Sequence, residues 1–279
     1  MYIKQVLRKS FSLKKLLIFA LCSPFLTVSF VCLHKQLPFL NNHVLIYDKT
    51  NENNNHLVSK LGPIDYRPTL YLPTCISQMI YNEIIHKLHI EFRRENILTE
   101  DGGLISLDWV ENNDKPLKTV KETRLIVILH GLTGGSESSY IREIANEFME
   151  NESNKIVVVQ YRGINKTPLL TPRSYHVGDT SDITVAMNYL KNNYPDYACY
   201  TIGTSMGANI FVKLFAEDHS FDDYVKGFIS ISNPFDLTSL EKRNRGTLID
   251  YFLRNRQKKY VKTHYEMLKT RSGRYYFFI

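Results

Sequence analysis

The sequence of 279 residues predicts an α/β fold in which a mostly parallel sheet carries helices on both faces. Two observations lead to this prediction. Short apolar runs typical of buried strands alternate along the chain with segments of helical periodicity. Hydrophobic residues make up 43% of the chain, which is ample for one large domain with a core of its own.

A β-hairpin is the first predicted element of the sheet. Residues 92–110 contain two alternating runs joined at Asp101-Gly102-Gly103, so we expect an antiparallel edge here. Four further strands follow, at 125–129, 155–163, 200–202 and 225–237. Helical periodicity is found after the strand at 125–129, at 179–193 and at 208–215. The count is therefore six strands in chain order.

A serine lies where the fifth strand gives way to a helix. In CYTIGTSMGANIF, at 199–211, Ser205 stands two residues from Gly203 and two from Gly207. A strand-to-helix turn this sharp needs positions without a side chain, because strand and helix pass close together. The pattern is that of a nucleophile elbow, although these five residues would equally suit a glycine-rich loop whose serine caps a helix.

A nucleophilic serine needs hydrogen-bond donors for the oxyanion that its attack creates. The backbone N–H of Met206, directly after the serine, is the first predicted donor. The second is the N–H of Leu132, in the turn His130-Gly131-Leu132 that follows an earlier strand. We expect His130 to brace this loop rather than act as the base, because the base should follow the nucleophile in chain order.

Five sequence blocks carry a family resemblance: RRENILTEDGGLISLDW, HGLTGGSESSYI, VVVQYRGINKTPLLTPRSYHVGDTSDI, GTSMGANIFVKLF and SISNPFDL. Together they resemble membrane-anchored α/β-hydrolases of the ABHD1/ABHD3 type and their YheT-like bacterial relatives, the AB hydrolase 4 family. The Thr-Pro-Arg-x-Tyr sequence at 171–175 is more particular to this family than the elbow. The resemblance covers 66–268 and implies an α/β-hydrolase fold and a serine esterase or lipase. Its implied substrates are lipid esters such as phospholipids or monoacylglycerols, and no metal or organic cofactor is implied.

The resemblance also predicts an acid and a histidine beyond the sixth strand, after two further strands. Residues after 237 instead read as polar helices with an aromatic tail, so we expect an α/β-hydrolase domain that is truncated at its C-terminus and lacks its last two strands. Asp236 is a weak candidate for the acid. Alternatively, it only forms the turn after the sixth strand. His264 is a weak candidate for the base, and His219 and Asp250 are weaker. Two hypotheses stay open: an esterase or lipase lacking its C-terminal part, and a non-catalytic membrane-anchored relative.

Positive charge is concentrated at the C-terminal end of the chain. From 238 onward there are eleven Lys or Arg against three Asp or Glu, a charge of +8 that exceeds the +7 of the whole chain. Such a run is either a solvated helical face or a contact for anionic lipid headgroups. No nucleic-acid motif accompanies it, so no nucleic-acid partner is predicted. The four cysteines have neither disulfide nor metal-site spacing.

An uncharged stretch of eighteen residues, 16–33, is long enough to span a membrane. Basic residues precede it, among them Lys4, Arg8, Lys14 and Lys15, and only Lys35 follows closely, which predicts a cytosolic N-terminus. A cleaved signal peptide is the less favoured alternative. We expect a single-pass protein of an endomembrane or the plasma membrane. Its predicted parts are a cytosolic segment at 1–15, the span at 16–33, a linker at 34–64, the hydrolase domain at 65–240 and a basic helical tail, the start of a lid, at 241–279.

Overall fold

The computed structural model describes residues 45–61, 72, 77–78, 81–82, 88–111 and 123–269. The chain divides into two compact units, Met1–His86 and Lys87–Ile279. The predicted span at 16–33 lies outside the described residues, and no helix among the described residues has the length and apolarity to cross a membrane. Within the predicted linker the structure has a helix, α1 (Glu52–Leu61), whose residues are largely exposed.

One mixed sheet organises the second unit. Its strands are β1 (Phe92–Leu98), β2 (Leu104–Val110), β3 (Arg124–Leu129), β4 (Asn154–Gln160), β5 (Ala198–Thr204) and β6 (Val225–Ile231). They lie in the order β1-β2-β4-β3-β5-β6. The hairpin β1–β2 joins β4 antiparallel, and the remaining pairs are parallel. The predicted mostly parallel sheet of six strands, with an antiparallel hairpin at one edge, is confirmed.

Helices cover both faces of the sheet. Three of them connect parallel strands: α2 (Ser139–Met149), α3 (Ser181–Asn193) and α4 (Met206–Glu217). Alternate residues of β3 enter two separate hydrophobic clusters, because successive side chains of a strand point to opposite faces. The cluster on one face includes residues of α3 and α4, and the cluster on the other includes residues of α2. After β6 come α5 (Leu237–Asn244), α6 (Leu248–Thr263) and α7 (Tyr265–Leu268).

A buried arginine ties the hairpin to the parallel part of the sheet. Arg162, just after β4, is 1% exposed. Its Nε donates to Asp182 Oδ2 at 2.7 Å, at the start of α3, and its Nη1 donates to Asp101 Oδ2 at 2.8 Å, in the hairpin turn. A Cβ on Gly103 would lie 2.7 Å from the same Nη1, so a side chain there would displace the buried guanidinium. This network fixes the loops at the carboxyl end of β4.

β6 is the edge strand on the side of the sheet away from the hairpin. Among the described residues its only strand partner is β5. The two isoleucines near its end are partly exposed, Ile229 by 52% and Ile231 by 38%, and the side chain of Phe235 beyond them is 77% exposed. An edge of this kind presents unpaired backbone groups beside apolar side chains.

Candidate active site

Ser205 occupies the turn between β5 and α4, where the sequence analysis expects it. Its backbone has φ 51° and ψ −118°, in the positive-φ region that residues other than glycine rarely adopt. The backbone N–H of Ser205 donates to the carbonyl of Ile231 at 2.8 Å, which fixes the turn to the end of β6. The serine is exposed while its neighbours Thr204 and Met206 are buried. The turn therefore presents the hydroxyl at the carboxyl edge of the parallel strands.

Glycines allow the close approaches that this turn requires. A Cβ on Gly203 would lie 2.5 Å from the Cα of Ala208, and a Cβ on Gly207 would lie 2.5 Å from the carbonyl oxygen of Leu129. Neither contact can be relieved by moving a side chain, since both involve backbone atoms. A Cβ on Gly131 would come within 3.1 Å of the Ser205 Cβ, so the loop after β3 packs directly against the serine.

Two tyrosines hold the loop that contains the predicted oxyanion donor Leu132. The N–H of Gly131 donates to the Tyr140 hydroxyl at 3.1 Å, and the N–H of Thr133 donates to the Tyr175 hydroxyl at 3.3 Å. Among the described residues, the N–H groups of Leu132 and Met206 have no backbone acceptor outside helices and strands. The loop thus leaves the Leu132 N–H available for a ligand, which suits an oxyanion donor.

His130 is fully buried beneath this loop. Its Nδ1 lies 2.8 Å from the carbonyl oxygen of Gly131, and because that oxygen only accepts, Nδ1 carries the proton. Burial lowers the pKa of His130 from 6.5 to about 4, so the ring is neutral at neutral pH. Its Nε2 has no hydrogen-bond partner among the described residues. The geometry makes His130 a brace for its own loop.

An aromatic column connects the loop to the C-terminal helices. The Tyr161 ring meets His130 edge-on at 4.6 Å between centroids and stacks on Tyr175 at 4.8 Å. Tyr175 in turn meets Tyr260 of α6 edge-on at 5.4 Å. Neither Tyr140 nor Tyr175 has a role predicted from the sequence, although both lie in the blocks that carry the family resemblance. Their position within these blocks is the feature of the sequence that could have identified the two tyrosines as part of the site.

The structure does not bring Asp236, the candidate for the catalytic acid, or His264, the candidate for the base, to the serine. Asp236 caps α5, where its Oδ1 accepts from the Ser239 N–H at 2.9 Å, and the hydrogen bond from the Ser239 hydroxyl lowers the pKa of Asp236. The Nε2 of His264 donates to the carbonyl of Gly163 at 2.8 Å. Within the described part of the chain, no hydrogen bond joins the Ser205 hydroxyl to a carboxylate or a histidine.

The remaining candidates are also engaged elsewhere. His219 is exposed and lies 3.2 Å from Asp222, and Asp250 accepts from Arg254 at 2.5 Å within α6. The buried Cys199 has its pKa raised to about 12 by burial, which keeps its thiol protonated. In the described ranges, no group of three or more His, Cys, Asp or Glu residues is placed to hold a metal ion.

Comparisons with known proteins agree with this geometry. The model of a family described as having the alpha/beta hydrolase fold matches residues 124–265. Phospholipase ABHD3 of Mus musculus is 31% identical over 207 residues, covering 72% of this chain and 50% of the relative. Monoacylglycerol lipase of Saccharomyces cerevisiae is 36% identical over 125 residues, covering 45% of this chain and 28% of the relative. An abhydrolase domain-containing protein of Dictyostelium discoideum is 30% identical over 217 residues, covering 76% and 54%.

Among solved structures, the Pyrococcus furiosus esterase Pf2001 superposes with a TM-score of 0.45 at 21% identity, covering 65% of this chain and 68% of that chain. The chain spans about half the length of the Mus musculus and Dictyostelium discoideum relatives, and 28% of the Saccharomyces cerevisiae relative.

Proposed function

This chain belongs to the α/β-hydrolase family, and from that premise we propose that it is a serine hydrolase of carboxylic esters whose substrates are lipid esters. One observation carries the proposal: Ser205 is held at positive φ in a strand-to-helix turn with its side chain exposed. The relatives named phospholipase and monoacylglycerol lipase support the lipid class of the substrate. We further propose that residues 16–33 anchor the protein in a membrane.

In the proposed reaction, the hydroxyl of Ser205 attacks the ester carbonyl and forms an acyl-enzyme, and water later releases the acid. The N–H groups of Leu132 and Met206 stabilise the negative oxygen of each tetrahedral intermediate. A base must take the serine proton and give it to the leaving alcohol. His264 and Asp236 are the candidates that this chain offers, and each would have to leave its present hydrogen bond to reach Ser205.

A second candidate function is a membrane-anchored lipid-binding relative that does not hydrolyse esters. The observation that favours it is the engagement of His264 with Gly163 and of Asp236 with Ser239. Without a base, the serine hydroxyl is a weak nucleophile, and loss of triad members costs several orders of magnitude in rate.

Fluorophosphonate labelling separates the two functions. We expect slow labelling of the full chain at Ser205, because the proposed donors Leu132 and Met206 would stabilise the developing charge, while no described histidine or carboxylate is hydrogen-bonded to the hydroxyl. Added imidazole should accelerate the labelling by serving as an external base. Ser205→Ala should abolish it, and Ser220→Ala, which removes an exposed serine elsewhere, should not. Mass spectrometry of the labelled peptide identifies the site.

The possible results have distinct meanings. Absence of labelling in a folded chain, even with imidazole, would contradict hydrolysis and favour the non-catalytic relative. Rapid labelling without imidazole would show that a base already lies within these 279 residues. His264→Gln and Asp236→Asn would then be the first substitutions to make.

A further inference from the structure

Helix α6 has one face fastened to the hydrolase sheet. The Tyr260 hydroxyl donates to the carbonyl of Arg162 at 3.4 Å and accepts from the Ser174 hydroxyl at 3.1 Å. Directly after the helix, His264 binds the carbonyl of Gly163 at 2.8 Å. These contacts lie on the loops that follow β4, at the same carboxyl edge of the parallel strands as the Ser205 turn. The orientation of α6 relative to this edge is therefore set.

The opposite face of α6 carries exposed aromatic and basic side chains. Tyr251 is 69% exposed and Phe252 is 50% exposed, although aromatic rings of this size are normally buried. Lys258, Lys259 and Lys262 are exposed on the same face one to three turns later, since residues spaced by three, four, seven or eight share a helix face. The three lysines line one surface pocket together with Asn255 and Thr263.

No acidic side chain among the described residues is paired with the lysines of this outer face. The single acidic residue of α6, Asp250, is paired with Arg254. Within the described residues, no salt bridge involves Lys258, Lys259 or Lys262. Aromatic rings beside unpaired lysines match a lipid–water interface, where rings lie at headgroup depth and lysines contact anionic headgroups. The Arg256 guanidinium lies 4.6 Å from the centroid of the Phe252 ring, which adds a further cation beside the exposed rings. Rings and lysines on the same face favour a lipid–water interface over a merely solvated helix face.

We propose that the outer face of α6, formed by Tyr251, Phe252, Lys258, Lys259 and Lys262, docks on an anionic lipid surface. In the preceding helix α5, Leu237 and Leu240 are also exposed, by 44% and 41%. Docking through this face holds the carboxyl edge of the sheet, and with it the Ser205 turn, close to the bilayer. The partner is thus defined by its chemistry, a membrane surface with net negative charge.

A tryptophan reporter on the helix tests the docking. The full chain with Phe252→Trp is incorporated into vesicles of brominated phosphatidylcholine, with or without phosphatidylglycerol. Bromine quenches only nearby tryptophans, and the natural Trp109 is buried at 3% exposure, so the unsubstituted chain provides the background. We expect quenching in the anionic vesicles, weak quenching in the neutral ones, and reversal by high salt.

The lysines are tested by a matched pair of variants. Changing Lys258, Lys259 and Lys262 to Gln in the reporter chain should weaken the response to phosphatidylglycerol by at least about tenfold. Changing the three lysines Lys166, Lys213 and Lys226 to Gln should leave it unchanged. Equal quenching in both kinds of vesicle, no quenching in either, or quenching that survives the first triple change would each overturn the proposal. Serine labelling plays no part in this readout, so its outcome is independent of the proposed hydrolysis.

Discussion

At the residue scale, Ser205 and His130 have different parts in the candidate site: the turn presents the serine, and the histidine supports the neighbouring loop. The positive φ of Ser205 costs on the order of 1–3 kcal/mol. The turn also depends on Gly203 and Gly207, since a Cβ at either position would lie 2.5 Å from a backbone atom. His130 supports the neighbouring loop from below in its neutral form. Tyr140 and Tyr175 bind the N–H groups on either side of Leu132. The loop of the proposed oxyanion donor Leu132 is thus held in place by residues that need not touch a substrate.

The buried His130 should make folding pH-dependent. Its pKa is about 4 in the folded chain and 6.5 when unfolded. Between these values the unfolded chain binds a proton that the folded chain does not, so the free energy of unfolding falls as pH falls through this window. The loss should reach about 3 kcal/mol at pH 4. Denaturant unfolding across this pH range measures it.

Two substitutions control the pH experiment. His130→Asn retains an N–H donor for the Gly131 carbonyl but cannot titrate, so its stability should fall much less between pH 6.5 and pH 4 than that of the unsubstituted chain. His219→Asn removes an exposed histidine and should keep the dependence of the unsubstituted chain. Identical pH profiles for the unsubstituted chain and His130→Asn would contradict the assignment.

At the scale of secondary-structure elements, the neighbouring strands β5 and β6 differ in how deeply they are buried. All but one residue of β5 are buried, whereas no residue of β6 is fully buried. The difference follows from position, since β5 lies between two strands while β6 pairs only with β5 among the described residues. An apolar edge strand is a template for pairing with another chain.

We expect the full chain to self-associate through β6. Ile229→Lys places a charge on the exposed edge and should shift the chain toward smaller species in analytical ultracentrifugation. Ile202→Lys in β5, where the side chain is 2% exposed, should instead unfold the domain. A monodisperse, cooperatively unfolding monomer without substitution would contradict the expectation and would show that the chain closes its own core.

At the scale of the whole molecule, we propose that two separate parts of the chain bind the membrane. The anchor at 16–33 is argued from eighteen uncharged residues, which have the length and hydropathy of a membrane span. The outer face of α6 is argued from its exposed aromatic rings and lysines. An inserted helix resists treatments that remove a protein held by charge alone. The two contributions can therefore be measured independently.

Alkaline carbonate extraction tests the anchor. We expect the full chain to stay in the membrane pellet, because carbonate strips peripheral proteins and leaves a spanning helix in the bilayer. The triple Lys→Gln variant of α6 should stay in the pellet as well. A variant in which Leu17 and Phe19 are both replaced by Arg interrupts the apolar stretch and should appear in the supernatant. Recovery of the unsubstituted chain in the supernatant would refute the anchor.

The sequence by itself determined the sheet and the place of the serine. Strand and helix periodicities are local patterns, and the two glycines beside Ser205 report a close backbone approach that is visible within a few residues. Only the tertiary structure decided which tyrosines hold the loop around Leu132, because Gly131 and Tyr140, or Thr133 and Tyr175, meet through the packing of separate elements. It also decided that His264 binds Gly163, a contact across 101 positions that no local pattern encodes.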